Sequence, residues 1–130
     1  MEAVAKLRNC PMSARKMRLV ADLIRGKKVE DAVNILKYTN KEAAGWLEKL
    51  VLSAVSNWEN KAQGAPDVDE HDLYIKKLLV DDAGHLKRIR SAPQGRAHRI
   101  RKHSNHVTVV IDNRIPFEGE AAMTGGDEEE

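Results

Sequence analysis

The sequence predicts an α+β fold in which a small antiparallel sheet packs on three helices and extends into a long basic β-hairpin arm. Three segments between residues 13 and 61 repeat apolar residues with the period of a helix. Two later segments, 73–80 and 107–111, are rich in β-branched and other apolar residues. With 130 residues, 42% of them hydrophobic, the chain can build one compact core. We assign this single domain to residues 1–113, including the arm at about 83–106.

The first elements are a short strand and a helix. Small apolar residues alternate with larger, mostly polar ones from Glu2 to Arg8, and Pro11 closes this strand. Ser13 is a good N-cap for the helix behind it, and Gly26 is placed to end that helix. The apolar positions of the helix are Met17, Val20, Ala21 and Ile24.

Two further helices are expected before residue 62. The second begins near Val29, carries Glu30 and Asp31 in its first turn and ends near Tyr38. Thr39 and Glu42 have the spacing of a capping box, which predicts the start of a third helix. This long helix provides the main core stripe, which includes Trp58, and it should fray by Lys61. Its apolar positions are Leu47, Leu50, Val51, Ala54, Val55 and Trp58.

Two acidic stretches are expected to be solvated. Residues 63–66 contain Gly and Pro and predict a loop, which an acidic run up to Asp72 continues. Residues 114–130 end in a run of acidic residues and predict a flexible acidic C-terminal tail.

The most informative stretch runs from His85 to His106. It contains seven Lys and Arg residues and no Asp or Glu, and its apolar residues are too few to build a core. Pro93 and Gly95 favour a turn at its middle, so a hairpin arm is expected between the two flanking strands. A two-stranded ribbon alone in water is only marginally stable, and its charge indicates a polyanionic partner. The arm residues expected to contact phosphates are Lys87, Arg88, Arg90, Arg96, His98, Arg99, Arg101 and Lys102.

Recognition of folded RNA fits these residues better than stacking on single-stranded bases, because no aromatic Phe, Tyr or Trp lies between His85 and His106. A second basic block is expected on the first helix and the turn after it, and its members are Arg15, Lys16, Arg18, Arg25, Lys27 and Lys28. Between residues 91 and 95 the arm has no cation, so this tip should face open space. The tip residues are Ser91, Ala92, Pro93, Gln94 and Gly95.

Several other classes of protein are not supported. No apolar run approaches the ~18 residues of a membrane span, so a cytoplasmic protein without a membrane segment is expected. The single cysteine, Cys10, excludes an intramolecular disulfide. The four histidines of the arm region invite a metal-site hypothesis, but the surrounding cations disfavour a divalent metal and no acid lies among them. We expect no metal, no cofactor and no catalytic activity.

Several stretches resemble the bacterial large-subunit ribosomal protein number twenty-two family. The segment from Ser13 to Val29, SARKMRLVADLIRGKKV, resembles its first helix and the following turn, and AVNILKYTNKEAA from Ala32 to Ala44 resembles its second helix and the start of its third. The residues that resemble its hairpin arm include Lys87, Arg88 and Ile89 and the stretch from Gly95 to Ala97. The segment HVTVV from His106 resembles the return strand. The tip differs, because the family commonly has a Pro-Arg-Ala-x-Gly-Arg pattern where this chain has RSAPQGR from Arg90.

This resemblance implies a structural constituent of the large ribosomal subunit, anchored on 23S ribosomal RNA, with a hairpin that lines the nascent-peptide exit tunnel. It also implies a location on cytoplasmic ribosomes and contacts with neighbouring large-subunit proteins and with the nascent peptide near the tip. No homo-oligomer is expected. Two alternatives stay open on the residues alone. One is a free-standing RNA-binding regulator that uses the same arm, and the other is an enzyme or metalloprotein built on the histidines.

Overall fold

A computed structural model of the protein describes residues 1–62 and 72–115. The elements, in chain order, are β1 (Glu2–Cys10), α1 (Ala14–Ile24), α2 (Val29–Tyr38), α3 (Glu42–Lys61), β2 (Leu73–Ser91), a 3₁₀ turn (Pro93–Gly95) and β3 (Ala97–Asn113). The strands form one antiparallel sheet in the order β1-β3-β2. The predicted α+β fold with three helices and a hairpin arm is therefore confirmed. The predicted loop at 63–66 and the acidic run behind it lie outside the described residues, except for Asp72, and so does the tail beyond Ile115.

The helices cover one face of the sheet. Along β3, residues 105, 107, 109, 111 and 113 are buried towards the helices, which is the alternation that a strand imposes. The matching residues of β1 are Ala3 and Ala5, and those of β2 include Ile75 and Leu78. Across from them, α3 contributes Leu47, Val51 and Trp58, all fully buried. Each fully buried large side chain of this kind contributes about 1.5–3 kcal/mol, so this interface forms the core of the domain.

The helix ends follow the local sequence in two cases and not in a third. The Ser13 hydroxyl accepts the Lys16 N–H at 3.4 Å, and Gly26 takes a φ of +79° after the end of α1, as predicted. The capping box predicted from Thr39 and Glu42 is wrong. The Thr39 hydroxyl instead donates to the Ile35 carbonyl at 2.6 Å, because Thr39 is the C-cap of α2, and α3 begins after Lys41 without a side-chain cap.

The strands are longer than expected and carry three irregularities. β1 extends to Cys10, with a break in register between Leu7 and Cys10 where Asn9 has a φ of +56°. In β2 one extra residue, Lys76, interrupts the pairing with β3. A second bulge lies between Asp82 and His85, at the point where β2 leaves the body. Both strands of the arm are thus continuous with strands of the sheet.

One salt-bridge network closes the end of the sheet opposite the arm. Because Lys76 is the extra residue of its bulge, its ammonium can reach both Glu2, with which it forms a hydrogen-bonded ion pair, and Asp112, at 3.9 Å. The hydrogen bond from Lys76 lowers the pKa of Glu2, and the same contact raises the pKa of Lys76. Nearby, the Arg114 guanidinium lies over the Tyr74 ring at 4.6 Å from its centroid.

Candidate nucleic-acid interface

The arm is a regular antiparallel ladder that projects beyond the core. Cross-strand pairs run without interruption from His85 opposite His103 to Ser91 opposite Ala97. With about nine residues on its first side at a rise of ~3.3 Å per residue, the arm extends roughly 30 Å. Between residues 84 and 103 only Ala92 and Ile100 are even partly covered, and all of the others are exposed. The arm predicted from composition is therefore present, and its cations are open to solvent.

The register of this ladder puts cations on both faces of the arm. Residues directly opposite each other in an antiparallel pair share a face, and the next pair along lies on the other face. One face carries Lys87 opposite Arg101, followed by Arg99 opposite Ile89. The other face carries Lys102, Arg88, Arg90 and His98. An arm with charge on both faces can be held by polyanion from two sides at once.

Repulsion within the arm also favours an anionic partner. Lys87 and Arg101 stand directly opposite each other, and like charges in such a pair destabilise a sheet. Within the described residues, no carboxylate forms an ion pair with an arm cation. Phosphates would remove this repulsion, since each phosphate supplies the missing counter-charge.

The tip is a tight turn without charge. The Ala92 N–H donates to the Arg96 carbonyl at 2.8 Å and closes the turn. Gln94 and Gly95 both have positive φ, of +65° and +72°, so the backbone reverses through two consecutive left-handed residues. Ser91, Pro93, Gln94 and Gly95 are exposed, and Ala92 is half-buried. The predicted turn is confirmed, but the left-handed Gln94 was not expected, because Gln lacks the freedom of Gly there.

Two of the predicted RNA-binding arginines of α1 are used inside the fold. The Arg25 guanidinium donates to the Leu78 carbonyl from Nε at 3.2 Å and from Nη2 at 3.0 Å. Arg18 Nη2 donates to the Val80 carbonyl at 3.0 Å. Since β2 is an edge strand, these carbonyls have no strand partner on that side, and the two arginines satisfy them. We refer to this pair of arginines as the edge clamp.

The remaining basic residues of this block lie at the two ends of α1. At its C-terminal end, Lys27 and Lys28 belong to the turn that runs beside β2, where the Ile75 N–H donates to the Lys27 carbonyl at 3.0 Å and Lys28 Nζ lies 3.5 Å from Asp72. At its N-terminal end, Arg15 and Lys16 are exposed. This N-terminal end lies beside the base of the arm.

A groove at the base of the arm joins the two basic blocks. It has a volume of about 510 Å³ and is lined by Lys16 on one side and by Arg101, Lys102 and His103 on the other. Residues 11–13, which connect β1 to α1, form a further wall. No local pattern predicts this juxtaposition, because the two blocks are separated by about 85 residues. We refer to this feature as the base groove.

A buried asparagine that the sequence analysis missed holds one wall of the base groove. Asn105 is fully buried, and its Nδ2 donates to the Met12 carbonyl at 2.7 Å. Its side chain also lies beside Cys10, where burial raises the pKa of the thiol. The signal was available, since Asn105 is a polar residue at a position that alternates with the core residues Val107 and Val109.

The histidines are not gathered into one site. His85 and His103 face each other with ring centroids 5.7 Å apart, at the bulge where the arm begins. His98 lies opposite Arg90 near the tip, and His106 Nδ1 accepts the Asn9 N–H at 3.1 Å in the body. Across residues 1–62 and 72–115, no three metal-binding side chains come together. In the same ranges, no helix has the length and apolar content needed to cross a membrane.

Comparison with known proteins identifies what this arrangement is similar to. The model of the family described as ribosomal protein L22p/L17e matches residues 5–112. Large ribosomal subunit protein uL22 of Flavobacterium johnsoniae is 61% identical over 109 residues, which cover 84% of this chain and 79% of the relative. The proteins of the same name from Christiangramia forsetii and Bacteroides fragilis (strain YCH46) are 59% and 53% identical, over 84% and 85% of this chain and 80% and 79% of those relatives. The matched region includes both the helices and the arm.

Proposed function

Because the chain belongs to the ribosomal protein L22p/L17e family, we propose that it is a structural constituent of the large ribosomal subunit that binds 23S ribosomal RNA and has no catalytic activity. The observation that carries the RNA-binding part is the arm itself, with exposed cations on both faces. An interface with other proteins alone would leave so many exposed cations without counter-charges, whereas RNA supplies a phosphate for each cation.

We further propose that the flanks and the tip of the arm have different roles, because the flanks anchor the protein on RNA and the tip lines the exit tunnel. The flanks, residues 87–90 and 96–102, hold RNA backbone, and arginine suits this role because its planar guanidinium can bond two phosphate oxygens. The uncharged tip, residues 91–95, lines the nascent-peptide exit tunnel, where the passing peptide is its neighbour. A neutral turn suits a surface that must not hold either acidic or basic peptides.

The basic residues of α1 take a smaller share of this interface than the sequence suggested. Under this proposal Arg15, Lys16, Lys27 and Lys28 contact RNA from the body, and the body also contacts neighbouring large-subunit proteins. Arg18 and Arg25 contribute charge near the surface, but their guanidinium groups are held by β2 carbonyls. The assembled location is the ribosome in the cytoplasm, and the protein acts there as a single copy without a membrane contact.

Sedimentation of the endogenous protein tests the proposal. We expect it to co-migrate with large subunits through a gradient after a high-salt wash, and cross-linking should attach it to 23S ribosomal RNA. A stable pool outside the subunits that is cross-linked to messenger RNA would instead support a free-standing regulator. One zinc ion per chain in the purified protein would support the metalloprotein hypothesis and contradict ours.

A further inference from the structure

Within the described residues, cationic residues of both the body and the arm line the base groove. Lys16 lines it from α1, and Arg101, Lys102 and His103 line it from β3, where Lys102 shares its face with Leu86 and the other two lie on the opposite face. No Asp or Glu lies in the first turn of α1 to offset this charge. Serine and aliphatic side chains complete the lining, among them Ser104 and Leu86. Cationic residues of the body and of the arm therefore line the same groove together with apolar residues.

The two sides of the base groove differ in how firmly they are held. The wall formed by residues 11–13 is tied to β3 through the hydrogen bond from buried Asn105 to the Met12 carbonyl. The arm side lies next to the bulge between Asp82 and His85, where the regular pairing of β2 with β3 is interrupted. Bulges bend strands and alter their twist. The direction in which the arm leaves the body is therefore set at this bulge.

We propose that the base groove binds the phosphate backbone of one RNA segment, which bridges α1 and the arm and thereby fixes the direction of the arm. This inference rests on the proposed RNA-binding function and adds a defined site to it. A segment of backbone fits better than a single small anion, because the groove of about 510 Å³ is lined by several cations and its apolar lining suits the sugars between phosphates. Lys16 and Lys102 would then contact the same stretch of RNA.

Directed cleavage from tethered iron chelates tests whether one RNA segment occupies the groove. The variants are Lys16→Cys, Lys102→Cys, a flank variant Arg96→Cys and a control Lys49→Cys on the exposed side of α3. The natural Cys10 is 1% exposed and its thiol has a raised pKa, so it should remain unlabelled. The probe is purified large-subunit ribosomal RNA from the same organism, bound to the full chain.

We expect hydroxyl radicals from positions 16 and 102 to cleave the same few nucleotides, and radicals from position 49 to cleave elsewhere or not at all. Cleavage from positions 16 and 102 in separate parts of the RNA would overturn the bridging site. Cleavage from position 96 with none from the two groove positions would also overturn it, while leaving RNA binding by the arm intact. Failure of the wild-type chain to bind the RNA at all would instead contradict the proposed function.

A double-mutant cycle provides a second, independent readout. If Lys16 and Lys102 bind one RNA segment, replacing either residue loosens that segment. Replacing the second residue then costs less binding free energy than the same replacement in the wild-type chain. We expect Lys16→Gln and Lys102→Gln each to raise Kd severalfold. The fold increase in Kd for the double variant should be smaller, by about threefold or more, than the product of the two single increases, which is a coupling of the size typical of neighbouring residues. For the control pair, Lys49→Gln and Lys102→Gln, the fold increase in Kd of the double variant should equal the product of the two single increases. Independent effects of Lys16 and Lys102 would refute a shared segment.

Discussion

Replacing Arg25 by methionine should destabilise the fold rather than weaken RNA binding. The arginine lies on the cationic face of α1, where a sequence analysis assigns it to RNA. In the structure its guanidinium donates two hydrogen bonds to the Leu78 carbonyl and forms an ion pair with Asp22. Methionine keeps a long apolar stem against the protein and removes every donor. The substitution therefore isolates the contribution of the edge clamp.

The size of the effect follows from the exposure of these groups. Hydrogen bonds to a charged donor contribute about 1.5–3 kcal/mol. The Arg25 side chain is 43% exposed, and water can replace part of the interaction. The exposed ion pair with Asp22 adds about 0–1 kcal/mol. We therefore expect Arg25→Met to lower the free energy of unfolding by about 1–2 kcal/mol, and Arg18→Met to lower it somewhat less, since Arg18 makes a single hydrogen bond to β2.

Urea denaturation of the free protein measures this loss, with Arg15→Met as the matched control. With m of ~2 kcal/mol/M, the midpoint for Arg25→Met should fall by roughly 0.5–1 M. Arg15 is exposed and has no hydrogen bond or ion pair within the described residues, so Arg15→Met should leave the midpoint unchanged. It should instead reduce the salt dependence of RNA binding by about 0.7–0.9 log units per log unit of salt. An unchanged midpoint for Arg25→Met together with a reduced salt slope would refute the edge clamp.

Three further predictions concern the arm and the opposite end of the sheet. Trypsin should cut the free protein first within the arm, because the arm has little apolar surface to offset the entropy of ordering it; protection of the arm without RNA would show that it is stable alone. Deleting Ser91–Gly95 should leave incorporation into large subunits nearly intact but change the response of translation to stalling peptides. Neutralising the four cations from Arg96 to Lys102 should instead weaken incorporation. The reverse pattern would contradict the proposed roles of tip and flanks. Lys76→Met should lower the urea midpoint near pH 7 and lower it less at an acidic pH at which Glu2 is protonated. The reason is that Lys76 lowers the pKa of Glu2, so this stabilisation is present above the ordinary pKa of a glutamate and is lost as the pH falls through the lowered value. An equal loss at both pH values would exclude the ion pair as its source.

Elements whose signals are local were predictable from the sequence. Ser13 and Gly26 bound α1 because capping depends on a few adjacent backbone groups. The body part of β3 was predicted at 107–111 from its β-branched residues, although the whole strand runs from Ala97 to Asn113. The capping box predicted at Thr39 was wrong although its spacing was correct. Two residues separate Thr39 from the first residue of α3, and the Thr39 hydroxyl donates backward to a carbonyl of α2 instead. A spacing rule cannot tell which of two neighbouring helices a side chain will cap.

Features that depend on the sheet order were not predictable in the same way. The role of Arg25 requires β2 to be an edge strand beside α1, and the base groove requires residue 16 to meet residues 101–103. Neither follows from periodicity or composition. The bulges at Lys76 and before His85 are likewise set by how three strands fit together, not by the strand that contains them. The cationic arm was recognisable in advance, whereas its geometry at the base was not.

The order of the strands also constrains how the chain folds. β3 lies between β1 and β2 but follows both in the sequence, and its pairing with β1 joins Glu2 to Asp112. The two outer strands have no partner of their own until β3 is available, and contacts across so many residues close slowly because the entropy of the connecting chain opposes them. The helices meanwhile have no sheet on which to bury Met17 or Trp58. Pairing of β1 with β3 and burial of the helices against the complete sheet therefore come late, whereas the pairing of β2 with β3 near the tip is local, and a change that slows β3 delays the closure of the core.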